Sequence, residues 1–398
     1  MSFSMTKTKT VIFTLIPVII LLLILEITGR IIYPFDQAER GMLLAKKDPR
    51  RDIPTWENAS GQVILEDIFG MDKRYLSYLG FLGAPNSNMT TLETNEIGFR
   101  DSAIEPRVPN EYRILILGGS AAWGWGASAN RHTVSGALEE LLNEDSSGVS
   151  YRVMNGAYLA WTSLQERITL MEFYELFDPD LVISLTGFND VISVQYGNSR
   201  ELLRLEFSMV EDAVENNLKP MGTIKAIRKV VGSLGIWRLV VYIREQLPSG
   251  KSGARVDYKP ERSSRGIPKV QDRYLSMANY IASHGDQFLL VLQPDIYTSG
   301  KQLTAPEAQV KQWLDSRNSE NFGNTFTQYR SDLVQGLTTL PSSGINVIDL
   351  APVFDDVSET MFTDDSHFND SGYRGIARAL HDVIKKNHDY DANDVVVP

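Results

Sequence analysis

Three textures of hydrophobic and polar positions succeed one another along the chain. The first is Val11–Leu25 (VIFTLIPVIILLLIL), a stretch without a charge. As a helix it is about 22 Å long, short of a hydrocarbon core of about 30 Å. Lys9 and Arg30 flank it with long side chains that reach outward. The segment between them gives about 30 Å. Glu26 precedes Arg30 by one helical turn, so the two can pair on one face. A cleaved signal peptide has an apolar region of similar length, but the next ten residues, EITGRIIYPF, offer no small-residue cleavage pattern. A retained transmembrane anchor is expected over 11–33, with 1–10 as a tail.

The second texture, 34–110, is mixed. Pro34, Pro49, Pro54 and Pro85 interrupt any long regular element, so this part reads as a stalk and lead-in that packs against the main domain. Asn95–Arg100 (NEIGFR) reads as a turn with Gly98 at its tight position, giving structural support below the first strand.

From Arg113 short apolar runs alternate with helical periodicity. The strands expected are Ile114–Leu117, Tyr151–Met154, Leu181–Leu185, Phe288–Leu292 and Ile345–Leu350. Helices are expected over Val134–Asn143, Ser163–Leu176, Val270–Ser283, Ala308–Gln335 and Ser371–Lys386. Such alternation implies βαβ units and a parallel sheet with helices on both faces. The domain spans 111–388, and 389–398 is a tail. One connection, 191–266, is too long for a simple crossover. It contains Leu202–Leu218 and Ile224–Gln246. The latter carries Lys225, Arg228, Lys229, Arg238 and Arg244 among apolar residues and Trp237. It reads as a lid or packed helical insertion, or as an amphipathic segment on a membrane surface. Lys251–Arg265 reads as an exposed loop.

Composition narrows the function. A chain of 398 residues with 43% hydrophobic and 22% charged residues supports a real core. Its net charge of −11 argues against general nucleic-acid binding, which depends on neutralising phosphates. The absence of cysteine excludes disulfides, thiolate metal sites and cysteine catalysis. Lys7 and Lys9 favour a cytoplasmic N-terminus, while Arg30, Arg40, Lys46, Lys47, Arg50 and Arg51 pull the other way. Long domains translocate largely regardless of charge, so the bulk of the chain is expected outside the cytoplasm.

Candidate chemistry gathers at the strand ends. Ser120 follows Gly118 and Gly119 at the end of the first strand, where ligands bind in open α/β sheets. Trp125 stands where a P-loop needs Lys, no register supplies G-x-G-x-x-G, and Ala122 breaks G-x-S-x-G. Asn155-Gly156-Ala157 follows the second strand and Gly187-Phe188-Asn189-Asp190 the third. Asp364-x-x-His367 follows the last. An aspartate three residues before a histidine, on a loop entering a helix, can fold back onto the imidazole. It then holds Nδ1–H and leaves Nε2 free to take a proton from serine. Asn369 or Asp370 would cap that helix.

These four blocks, in this order, resemble the SGNH (GDSL-type) hydrolases over about Arg113–Lys386, apart from the insertion after Asp190. Gln293-Pro294 is similar to the family as well. The resemblance implies a flavodoxin-like three-layer α/β/α fold with a five-stranded parallel sheet. It implies Ser120 as nucleophile, His367 as general base and acid, and Asp364 as the residue orienting His367. The implied oxyanion donors are the Ser120 and Gly156 backbone N–H groups and the Asn189 amide. Gly119 departs from the family's Gly-Asp-Ser, as it does in some membrane-anchored bacterial relatives. The expected activity is hydrolysis of an acyl ester, foremost O-acetyl, on a carbohydrate or lipid. An acyltransferase using the same acyl-enzyme and a non-catalytic polysaccharide-binding module are the alternatives. No cofactor and no metal are expected. His132, His284, His381 and His388 lack ligand spacing and read as structural. Asp365 is the alternative orienter, Asp190 is expected to stabilise its own turn, and Trp123 and Trp125 form either an aromatic wall or packing beneath the loop.

Overall fold

The computed structural model describes residues 7–32, 37–76, 78–145, 148–196, 234–246, 257–340 and 345–393. Two strands, β1 (Lys73–Leu76) and β2 (Gly80–Gly83), form an antiparallel hairpin. Five others form the central sheet: β3 (Glu111–Gly118), β4 (Ser150–Asn155), β5 (Leu181–Thr186), β6 (Gln287–Leu292) and β7 (Asn346–Asp349). All pair in parallel, in the order β4-β3-β5-β6-β7. This is the flavodoxin-like order, whose switch point opens a crevice beyond the carboxyl ends of its first and third strands. Those are β3 and β5.

The continuous apolar runs have the expected cause. Ile114, Leu115, Ile116 and Leu117 are fully buried because helices cover both faces of the sheet. The expected helices are present with small shifts, at Val134–Glu144, Ser163–Phe177 and Asp370–Asn393. Two expectations change. The single helix over 308–335 is two, Ala305–Arg317 and Phe322–Thr338, separated by a bend at 318–321. The loop expected up to Arg265 ends sooner, because the helix Pro260–His284 begins at a proline suited to a first turn. Leu202–Leu218 and much of Ile224–Gln246 lie outside the described residues; the helix Gly235–Gln246 lies within them.

The stretch read as a lead-in joins the core. Helices Gln37–Lys47 and Gly61–Gly70 accompany the β1–β2 hairpin. Ile64, Leu65, Leu82, Leu92 and Phe99 belong to the same buried cluster as the sheet. The Asn95 side chain accepts from the Ile97, Gly98 and Phe99 N–H groups, which fixes the NEIGFR turn. The buried Arg100 beyond it bonds the Gly124 and Ala127 carbonyls, bracing the loop after Ser120.

The N-terminal apolar segment is a helix, Lys7–Ile32. Its Leu15–Ile32 portion has a mean hydropathy of 2.4 and is largely exposed. Among the described residues it is the one helix long and apolar enough to cross a membrane.

Candidate active site

Strand β3 delivers Gly119 and Ser120 into the crevice. Ser120 opens the short turn Ser120–Trp123, and its N–H finds no acceptor among the described residues. A Cβ on Gly119 would collide with the Asn189 amide nitrogen. Glycine there is what lets the third block close over the first.

The loop after β7 is shaped around one carboxylate. Asp364 Oδ1 accepts from the Ser366 N–H at 3.1 Å and the His367 N–H at 3.0 Å. This turn brings His367 Nδ1 to 2.7 Å from Oδ1 and 2.8 Å from Oδ2 of Asp364. On the other side of the ring, His367 Nε2 lies 2.6 Å from Ser120 Oγ. Asn369 caps the following helix, accepting the Gly372 N–H at 2.9 Å. Tyr373, on that helix, donates to the Trp125 carbonyl at 2.6 Å, tying the histidine's helix to the serine's loop. Ser120, His367 and Asp364 are thus brought together, and Asp364 rather than Asp365 faces the imidazole.

The sequence did not mark Arg50. Its guanidinium bonds Asp364 Oδ2 at 2.5 Å and Asp48 Oδ2 at 2.7 Å. Only 13% of the Arg50 side chain and 3% of that of Asp364 are exposed. Arg50 also lies over the Trp125 ring at 4.7 Å, and Trp125 stacks on His367 with centroids 4.5 Å apart. Trp56 donates to the Arg50 carbonyl at 2.8 Å. Burial alone would raise the Asp364 carboxyl, but the His367 ring and Arg50 outweigh it and hold Asp364 well below the usual range. Burial works against Arg50's charge in the same way, and Asp48 and Asp364 reverse it. Burial, reinforced by the Asp364 charge, pushes Asp365 up. One carboxylate stays ionised beside the histidine while its neighbour holds its proton more tightly.

The expected oxyanion donors divide. Asn189 stands beside Gly119 and donates from Nδ2 to the Trp161 carbonyl at 2.8 Å, leaving its second N–H. Gly156 is corrected. Its N–H donates to the Ile116 carbonyl at 2.8 Å, and it is buried against Leu115 and Leu117. Ala160 stands on the turn before Trp161, whose carbonyl holds Asn189. It is exposed, has a left-handed φ of 59°, and its N–H finds no acceptor among the described residues. A non-glycine residue held in that region is uncommon, and no sequence feature marks it.

The remaining readings resolve from geometry. Asp190 does not stabilise its own turn; it accepts from the Ser163 N–H and Oγ at the start of the helix Ser163–Phe177. Trp123 is fully buried, edge-on to Tyr158, and forms no wall. His132 Nδ1 contacts Ser128 Oγ at 2.7 Å and Asp370 at 3.0 Å, a cross-link rather than a ligand set. Among the described residues no group of three or more His, Asp and Glu is placed to hold a metal.

No family model matches the chain, and no curated protein does. Among solved structures it is similar to the acetyl xylan esterase AlAXEase, at 11% identity over 68% of this chain and 99% of that one, TM-score 0.38. A GDSL-like lipase from Bacteroides thetaiotaomicron is 12% identical over 71% of this chain and 91% of its own, TM-score 0.35. A two-domain esterase active on acetylated mannans is 12% identical over 69% of this chain and 49% of its own, TM-score 0.35. Similarity this slight assigns no activity, and the chemistry has to come from the side chains.

Proposed function

We propose that the protein is a serine esterase that works through an acyl-Ser120 intermediate. The observation that carries this reading is the unbroken hydrogen-bonded line from Ser120 Oγ through His367 to Asp364. His367 Nε2 takes the hydroxyl proton as Oγ attacks the ester carbonyl, then gives it to the leaving alcohol as the tetrahedral intermediate collapses. Water repeats the sequence on the acyl-enzyme. Asp364 holds the Nδ1–H tautomer and stabilises the imidazolium. The Ser120 and Ala160 N–H groups and the free Asn189 N–H meet the developing oxyanion. Arg50 is a positioning residue: it acts through Asp364, whose charge it keeps in place.

The substrate class proposed is a small acyl ester, O-acetyl first, on a carbohydrate or lipid, which suits the resemblance to SGNH hydrolases. The helix Lys7–Ile32 serves as an anchor, with the N-terminus cytoplasmic and the catalytic domain outside the cytoplasm. The test is to treat the full chain in detergent with a fluorophosphonate probe and to measure p-nitrophenyl acetate turnover, as wild type and as Ser120→Ala. Labelling and turnover should vanish in the variant alone. Equal labelling of a folded Ser120→Ala variant, or none in folded wild type, overturns the assignment.

A further inference from the structure

The helix Gly235–Gln246 docks on the end of the apolar helix Lys7–Ile32, and the contact is closely fitted. A Cβ on Gly29 would run into the Gly235 carbonyl, and one on Gly235 into the Glu26 carbonyl. Paired glycines permit this approach of two backbones, as small residues do between helices in membranes. Glu26, itself bonded to Arg30 at 2.8 Å, accepts the Ile236 N–H at 3.2 Å. The first helix therefore supplies an acceptor for an otherwise orphaned donor in the first turn of the second. Farther along, Lys47 lies over the Tyr242 ring at 5.3 Å.

The side turned away from these contacts carries three exposed apolar residues. Trp237, Val240 and Ile243 are 48%, 49% and 51% exposed, and at three-residue spacing they fall within about a third of the helix circumference. On the apolar helix, Ile24 and Ile27, on either side of Glu26 in sequence, are 53% and 56% exposed. The junction lies at Glu26–Arg30, where the uncharged stretch ends and its flanking charge begins. An amphipathic helix held at that level, with a tryptophan on its apolar stripe, has the composition of a segment seated at a membrane interface.

We propose that the helix Gly235–Gln246 is seated in the headgroup region of the phospholipid bilayer, its Trp237–Val240–Ile243 stripe facing lipid. The inference rests on the anchor reading of Lys7–Ile32. Its occupant is lipid because the helix that carries the stripe is fixed, through Gly29 and Glu26, to an exposed apolar helix long enough to cross a membrane. The helix then serves as a second, interfacial contact, beside the spanning one.

The cysteine-free sequence makes the test direct. Full-length protein in phosphatidylcholine–phosphatidylglycerol vesicles would carry a single nitroxide at Val240→Cys, at Val18→Cys on the apolar helix, or at Val108→Cys on the exposed surface of the main domain. Collision with oxygen and with a water-soluble nickel chelate is then measured by power saturation. A label at 240 should show an oxygen-to-nickel ratio several-fold above that at 108 and below that at 18. Ile243→Cys repeats the reading should Val240→Cys fold poorly. A ratio at 240 equal to that at 108 overturns the proposal while a lipid-like ratio at 18 leaves the anchor standing. Shielding from both reagents at 240 also overturns it, by placing protein on the stripe. A water-like ratio at 18 overturns the anchor and this inference together.

Discussion

Replacing Arg50 by methionine tests whether the charge behind Asp364 sets the working pH of the site. Arg50 and His367 share one carboxylate, with contacts of 2.5 Å and 2.7 Å. A hydrogen bond to a charged group is worth about 1.5–3 kcal/mol, and Arg50 makes one of these to the carboxylate that His367 also holds. The guanidinium is one of the charges that hold the Asp364 carboxyl low, so its loss raises that carboxyl. The acid limb of the kcat/KM profile for p-nitrophenyl acetate should therefore move up, because the carboxylate that orients His367 is lost at a higher pH. Arg50→Lys keeps the charge but not the fork to Asp48 and Asp364, and should move the limb by less than half as much. Thermal unfolding checks that the variants fold, since removing one partner of a buried pair costs about 3–5 kcal/mol. Should turnover become too slow, the His367 ring protons followed by NMR give the same titration. An acid limb that stays in place, or moves down, refutes the electrostatic role and leaves Arg50 as packing alone.

Asn189→Ala should lower kcat by about 10²–10³ with little change in melting temperature, because it removes one donor from the oxyanion site; near-normal kcat on p-nitrophenyl acetate would exclude that role. Burial, with the charge of Asp190 beside it, pushes Glu166 up to about 8 from an ordinary value of 4.5. The folded state then holds a proton that the unfolded chain has lost, so this residue makes stability fall with rising pH, by about 1.4 kcal/mol per unit across that interval. In urea titrations the advantage of Glu166→Gln over wild type should grow from pH 5 to pH 8, and a constant difference would show Glu166 ionised in the fold. Gly119→Asp, which restores the Gly-Asp-Ser of the resembled family, should reduce turnover at least tenfold here, since its Cβ displaces Asn189 and a displacement of about 1 Å is worth that much; turnover at the wild-type level would show that Asn189 is free to move.

The sheet was legible because burial on both faces writes itself as apolar runs, and all five expected strands fall within a few residues of their positions. Ser120, His367 and Asp364 were legible because each follows a strand at the same edge and because a three-residue Asp–His spacing folds back on itself. Gly156 misled because a glycine after a strand has two uses. Here it allows Leu115 and Leu117 to pack closely, while the ladder takes its N–H. Ala160 left no trace, since a left-handed backbone at alanine is imposed by the surrounding turn and not by alanine. The hairpin and helices within 37–83 were hidden by short length and by prolines, which break long periodicity without preventing short elements. Arg50 was hidden by distance. It stands more than three hundred residues from Asp364, and nothing local distinguishes it from Arg51, which points instead to Asp52 and the Lys46 carbonyl.

That distance has a structural consequence. In the segment joining the apolar helix to the sheet, Asp48 grips Arg50, Trp56 holds the Arg50 carbonyl, and Trp56 lies 5.9 Å from Trp125. Trp125 in turn stacks on the histidine that faces the serine. A linear run from the residues after the apolar helix to Ser120 thus crosses only side chains with less freedom than a loop, since each is buried or half-buried and fixed by a hydrogen bond or ring contact. A segment serving only as a spacer would need none of these, and would place no charge on Asp364. The lead-in therefore completes the environment of the proposed base. A chain cut after Trp56 would keep Ser120, His367 and Asp364 but leave Asp364 without its guanidinium partner. Its acid limb should match that of Arg50→Met, because both remove the same charge from the same carboxylate.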